Sequence, residues 1–164
     1  MPGFILGGMV ALLAVRVFAG YERAGRFRHL GRRDAAVIDA VGEAMFPGGG
    51  PLPFSSRDIG LRAYLDDYFG WHPARMRTLM KLLLFLFEHA TLVCVPSWRR
   101  LSQLDPPARE RYLAGWDASR FYLRRIAFQS LRALVVMGYL GSSRVELGLG
   151  ISRPAACREK ALAP

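Results

Sequence analysis

Leu101 to Tyr139, LSQLDPPARERYLAGWDASRFYLRRIAFQSLRALVVMGY, is the stretch that decides the fold class. Asp105 followed by Pro106 is a helix start. A carboxylate there can accept orphan N–H groups of the first turn, and proline at that position gives up no hydrogen bond. A short helix through Tyr112 and Leu113 is expected to break near Gly115. Asp117 then opens a longer helix to about Leu140. On it Leu123, Ile126, Ala127, Leu134 and Met137 share one arc, and Arg125, Gln129 and Arg132 share another. The expectation is one buried side and one arginine-bearing side.

The flanking sequence continues in the same vein. Asp34 to Phe46 carries Ile38, Val41 and Met45 on one face, with Asp34 as its cap. Pro47-Gly-Gly-Gly-Pro-Leu-Pro ends that helix. With no strand before them and no Gly-Lys-Ser/Thr after them, those glycines read as a turn and not as a phosphate loop. Ser55 and Asp58 stand at capping-box spacing ahead of a helix through Leu61, Leu65 and Tyr68 that stops near Gly70. Pro73 to Val95 is the most apolar helix. Its run Leu82 to Phe87 is apolar on all sides, while Arg77, Lys81 and Glu88 share one stripe, which predicts a central helix wrapped by the others. No alternating pattern marks a strand. The predicted fold is all-α: a compact bundle of five or six helices preceded by one N-terminal transmembrane-like helix.

Gly3 to Tyr21 is apolar apart from Arg16. It reaches the roughly 20 residues of a spanning helix only if that arginine snorkels to the headgroups. Three readings are open: a membrane anchor formed by Phe4, Ile5, Leu6, Val10, Leu12, Leu13, Val15, Val17 and Phe18; a signal peptide cleaved after Val17-x-Ala19; or a buried N-terminal helix. Arg23, Arg26, Arg28, Arg32 and Arg33 follow the apolar run. By the positive-inside rule they place the body on the cytoplasmic side of an inner or cell membrane, single-pass, with a periplasmic location after export as the alternative. Near an anionic leaflet each would contribute about 1 kcal/mol of attraction; the alternative reading of the linker is a solvated connector. The expected organisation is an anchor or signal-like segment over 1–21, a basic juxtamembrane linker over 22–33, a helical domain over 34–157 and a tail over 158–164.

Of the 164 residues, 52% are hydrophobic and 22% charged, which describes a chain that folds. The formal net charge is +10, carried by arginine, since Lys81 and Lys160 are the lysines. These arginines are scattered over every element with no nucleic-acid motif, so no nucleic-acid partner is expected. Cys94 lies in an apolar stretch and Cys157 in a polar tail, and the sequence leaves open whether they pair. His29, His72 and His89 have no metal-ligand spacing, and Asp66-Asp67 diverges around a helix as a solvated face. Without a G-x-S-x-G elbow or a G-x-G-x-x-G after a strand, no catalytic, cofactor-binding or metal-binding residues are expected in this chain.

The order Leu101, Leu104, Asp105, Arg109, Leu113, Trp116, Ser119, Arg124-Arg125, Phe128, Leu131, Gly138-Tyr139 resembles the gluconate 2-dehydrogenase subunit 3-like family, the small subunits of bacterial gluconate 2-dehydrogenases. It is also similar to the helical N-terminal region of long-chain alcohol oxidases of the glucose–methanol–choline family. Leu30 to Pro47 resembles the opening helix of those modules and Val145 to Gly150 their closing segment, so the likeness covers residues 30 to 157. It implies a non-catalytic accessory subunit, or a maturation or tethering partner, of an FAD-dependent dehydrogenase or oxidase complex, with FAD in the partner and none in this chain. It implies a structural, buried Trp116 and turns the face of Arg125, Gln129 and Arg132 toward a flavoprotein surface. The gluconate dehydrogenase relatives are exported through a twin-arginine signal, whereas Arg32-Arg33 here follows the apolar run and cannot serve as one. The alternative reading is a stand-alone membrane-anchored helical protein that binds an apolar, lipid-like ligand.

Overall fold

Seven α-helices and one 3-10 turn, with no strand, account for the secondary structure of the described residues of a computed structural model, namely 7–8, 15–17, 20–21, 27–49, 54–94 and 98–150, apart from short helical pieces in 7–8 and 15–17. In chain order the elements are α1 (Arg32–Met45), α2 (Leu61–Trp71), α3 (Ala74–His89), α4 (Thr91–Cys94), the turn Leu101–Gln103, α5 (Pro106–Asp117), α6 (Tyr122–Leu140) and α7 (Ser143–Gly148). The fold is all-α and compact. Phe4, Ile5, Leu6, Val10, Leu12, Leu13 and Phe18 of the expected anchor, with Arg23, Arg26 and Cys157, lie outside the described residues. Among the described residues no helix is long and apolar enough to cross a membrane.

The centre of the bundle is α1 and not the helix that follows Pro73. α1 touches α2, α3, α5, α6 and the 3-10 turn. Val37, Ile38 and Val41 supply its buried bulk, and Ala35, Ala40 and Gly42 let neighbours come close. α3 buries Leu84 and Phe87 but leaves Leu79, Leu82 and Leu86 exposed. Its all-round apolarity is therefore a property of an outer helix with an uncovered side. The expected polar stripe is also divided, because Glu88 is fully buried while Lys81 is only partly covered and reaches Asp34 at 4.0 Å.

The helix boundaries show where local signals act and where packing overrides them. α1 begins at Arg32, inside the segment expected as linker, with Gly31 as its N-cap. Asp34 is not the cap but sits a turn inside and accepts the Gly31 N–H at 3.0 Å. Ser55 and Asp58 do exchange hydrogen bonds (Ser55 N to Asp58 at 2.9 Å, Asp58 N to Ser55 Oγ at 3.3 Å), but these close a turn. α2 starts only after Gly60, whose φ of +68° suits glycine. α5 starts at Asp105-Pro106, although the Asp105 side chain makes no capping bond. It then runs through Gly115 to Asp117, and α6 starts at Tyr122. Asp117 closes α5 and accepts a hydrogen bond from Gln129 at 3.1 Å.

α6 is turned by about a quarter turn from the expected orientation, with Leu134 of the expected face still buried and Ala127 partly so. Phe128, Leu131, Leu134, Val135, Gly138 and Tyr139 are buried, whereas Leu123, Ile126 and Met137 are exposed. Gly138 explains the choice: a Cβ there would lie 2.5 Å from Leu61 Cδ1, so α2 and α6 approach through that glycine. Trp116 is buried at the junction of α5, α6 and α3, with its ring 4.3 Å from Phe87 and the Arg124 guanidinium 4.8 Å above it.

Asp66 is buried, contrary to its reading as a solvated face. Its carboxylate accepts the backbone N–H groups of Arg28 (2.9 Å), His29 (2.8 Å) and Leu30 (2.8 Å), which ties the approach to α1 onto α2. Burial pushes this carboxyl up, but the three N–H bonds together outweigh burial and hold it below the usual carboxylate range. A depressed folded pKa gives stability that is present above the unfolded value, about 3.8, and is lost as pH falls through the folded value. Asp66→Ala is therefore expected to cost about 3 kcal/mol at neutral pH through orphaned N–H groups. It should also flatten the acid limb of a melting-temperature profile, and an unchanged profile would refute the assignment.

Candidate functional site

The C-terminal end of α3 gathers the densest set of buried charged groups. Glu88 has no exposed surface; Ser102 donates to it from Oγ at 2.5 Å and from N at 3.0 Å, and Arg100 Nε lies 3.8 Å away. Arg100 donates to the Arg16 carbonyl at 2.8 Å and stands 4.2 Å over the Tyr21 ring. Arg16 donates to the Trp98 carbonyl (3.1 Å), to Thr91 Oγ1 (3.1 Å) and to His89 Nδ1 (3.0 Å). The arginine expected to snorkel toward headgroups is thus buried against the body, at a helix C-terminus whose partial negative charge favours a cation.

Each member of this cluster is committed to another. Accepting from Arg16 at Nδ1 leaves His89 with its proton on Nε2. Burial first, then the charges of Arg16, Arg33 and Arg100, push His89 down to about 4, so it is neutral at physiological pH. Burial pushes Tyr21 up to about 12 and raises Glu88 above the ordinary carboxyl range. Both Glu88 oxygens accept from Ser102 and none of its surface reaches solvent. A sealed carboxylate has no route to a substrate proton. The cluster works as a clamp that fastens Arg16 and Tyr21 to α3, α4 and the residues around the 3-10 turn.

A cleft of about 310 Å³ lies beside α1. Its walls are charged: Arg62 pairs with Asp39, and Glu43 is shared between Arg57 (2.5 Å) and Arg109 (3.2 Å). Arg109 is itself buried and donates to the Leu104 carbonyl at 2.9 Å. Such a lining suits polar groups and offers little to the apolar ligand of the alternative reading. Among the described residues no group of three His, Cys, Asp or Glu could hold a metal ion.

Arg125, Gln129 and Arg132 do share one side of α6, but two of them are occupied locally. Arg125 donates to the carbonyls of Ser119 (2.7 Å) and Arg120 (3.3 Å), closing the turn between α5 and α6, and Gln129 holds Asp117. Arg132 is exposed. Of the basic linker, Arg28 and Arg32 are exposed, while Arg33 pairs with Asp34 at 3.3 Å and lies 4.9 Å over Phe85. Val15 is exposed and Val17 partly so.

Leu123, Ile126 and Met137, expected in the core, belong instead to an exposed arc of α6. Leu123, Ile126, Ser130, Ala133, Met137 and Leu140 recur at alternating spacings of three and four, and all are exposed. At 100° per residue they occupy, with Tyr122, an arc about 100° wide along a helix about 28 Å long. No charged residue interrupts it. No family model, no curated protein and no solved structure matches this chain.

Proposed function

We propose that the chain is a non-catalytic accessory subunit, or a maturation and tethering partner, of a flavin-dependent oxidoreductase of the glucose–methanol–choline type, with FAD in the partner. The observation that carries this reading is the uncharged arc on α6. Its spacing of three and four is the seam by which one helix accepts another, and α6 is supported from behind by α2 and α5. The proposed contact lies on Leu123, Ile126, Met137 and Leu140 and not on Arg125, whose guanidinium is spent on the turn carbonyls. Tethering is the task of the N-terminal apolar segment, which Arg16 fastens to the body.

Co-expression with a flavoprotein oxidoreductase encoded beside this chain tests the proposal. Ile126→Glu/Met137→Glu is expected to lower recovery of the partner by about tenfold or more, since it places two charges in an apolar contact. Its melting temperature should stay near wild type because both side chains are exposed. Arg132→Glu, about 130° around α6 from the centre of the arc, should leave recovery near wild type. Equal recovery from the folded double variant would remove this face from the interface, and no recovery with wild type would remove the accessory-subunit reading.

A further inference from the structure

The outer side of α3 and α4 is a second uncovered apolar surface, and its surroundings differ from those of α6. Leu79, Leu82 and Leu86 are exposed at spacings of three and four, and Val93 continues their line at 88% exposure. At 1.5 Å per residue that line is about 21 Å long. Trp71, 79% exposed, stands just before α3, and Trp98, 56% exposed, just after α4. Arg75 stands at the start of the line and Arg99 beyond its far end, both exposed, whereas Arg77 and Lys81 share the core-side stripe of Glu88. Between Trp71 and Arg100 the one carboxylate is Glu88, and it is sealed on the core side by Ser102.

This combination selects among occupants. A second copy meeting this face symmetrically would set the basic residues of one protomer against those of the other. An anionic lipid surface accepts both features at once. An amphipathic helix in the interface plane buries its apolar side at the headgroup–acyl boundary and keeps its basic residues at phosphate level, and tryptophan favours that depth. Arg16 attaches the N-terminal segment at Thr91 and at Trp98, the same end of the face.

We infer that the outer face of α3 and α4 lies in the headgroup region of an anionic bilayer, with Leu79, Leu82, Leu86 and Val93 entering the acyl boundary. The claim goes beyond tethering and does not need residues 1–21 to span, since a body hanging from an anchor alone would leave this face in water. It is tested with the full chain and vesicles of phosphatidylcholine and phosphatidylglycerol, against vesicles of phosphatidylcholine alone. Brominated acyl chains in the anionic vesicles are expected to quench the fluorescence of the exposed tryptophans Trp71 and Trp98, leaving the buried Trp116 signal. Leu82→Glu/Leu86→Glu should lower partition by about tenfold or more and abolish quenching, with circular dichroism and melting unchanged. Quenching in the wild type needs no variant, so the inference stays testable should the double variant fail to fold. Flotation without quenching, or unchanged partition of a folded double variant, would overturn it and leave the anchor standing. Continued quenching in Leu12→Arg/Leu13→Arg would support it while removing the anchor. A wild type that does not float would overturn both, and a dimer that forms without vesicles and is abolished by Leu82→Glu/Leu86→Glu would assign the face to a second copy and overturn the inference.

Discussion

Trp116→Ala is expected to destabilise the fold by about 3–5 kcal/mol, the range for removing a large aromatic side chain from a core that cannot collapse around the gap. The gap would open at a junction of three helices. Phe87 of α3 lies 4.3 Å from the indole, Tyr112 meets it edge-on at 6.1 Å, and Arg124 of α6 covers it at 4.8 Å. Trp116→Phe keeps the contact with Phe87 and loses part of the stacking with Arg124, so it should cost about 1–2 kcal/mol. Chemical denaturation of the three proteins measures both steps. A Trp116→Ala midpoint equal to wild type would mean that the indole is not the keystone of this junction.

The second large effect is expected at Glu88. Glu88→Ala strips the counter-charge from the buried Arg100 and Arg16 and leaves the Ser102 N–H without an acceptor. Breaking a buried pair in this way costs about 3–5 kcal/mol. Glu88→Gln keeps an acceptor for Ser102 and removes a carboxylate whose ionisation burial already opposes, so its loss should be less than half as large. The pH dependence has a definite sign. A carboxyl raised in the fold contributes stability that is fully present below its unfolded value and is lost as pH rises through the folded value. Glu88→Gln should lack that decline, which is opposite to the change expected at Asp66. Equal destabilisation by Ala and Gln would show that charge alone, and not the bond from Ser102, sets the effect.

The legible and illegible parts of this fold differ in a physical way. Asp105-Pro106 could be read because proline at a first helical turn acts locally. The end of the same helix could not, since Gly115 has nothing within 4 Å of the place where a Cβ would stand and the helix simply continues, held by buried Tyr112, Leu113 and Trp116. On α6 two apolar arcs compete, and periodicity cannot rank them. Gly138 does, because it marks the side where Leu61 comes close, and that signal was present in the sequence. On α3 the full burial of Glu88 was not legible, because a carboxylate enters a core only where groups such as Ser102 and Arg100 satisfy it. Those partners could be matched only in three dimensions, as could Arg16, whose partners lie 73 to 84 positions away. At α6 the helix was legible, but not that the α5–α6 turn already holds Arg125 and Gln129.

Photo-crosslinking from the outer arc of α6 decides whether that arc docks onto a flavoprotein, as proposed. Benzoylphenylalanine replaces Met137 on the arc in one protein and the exposed Arg111 on α5 in another, and both are irradiated in cells that also express the neighbouring oxidoreductase. An adduct is expected from position 137, and not from position 111, in which the captured polypeptide carries FAD. An adduct made only of a second copy of this chain, or equal capture from both positions, would contradict it.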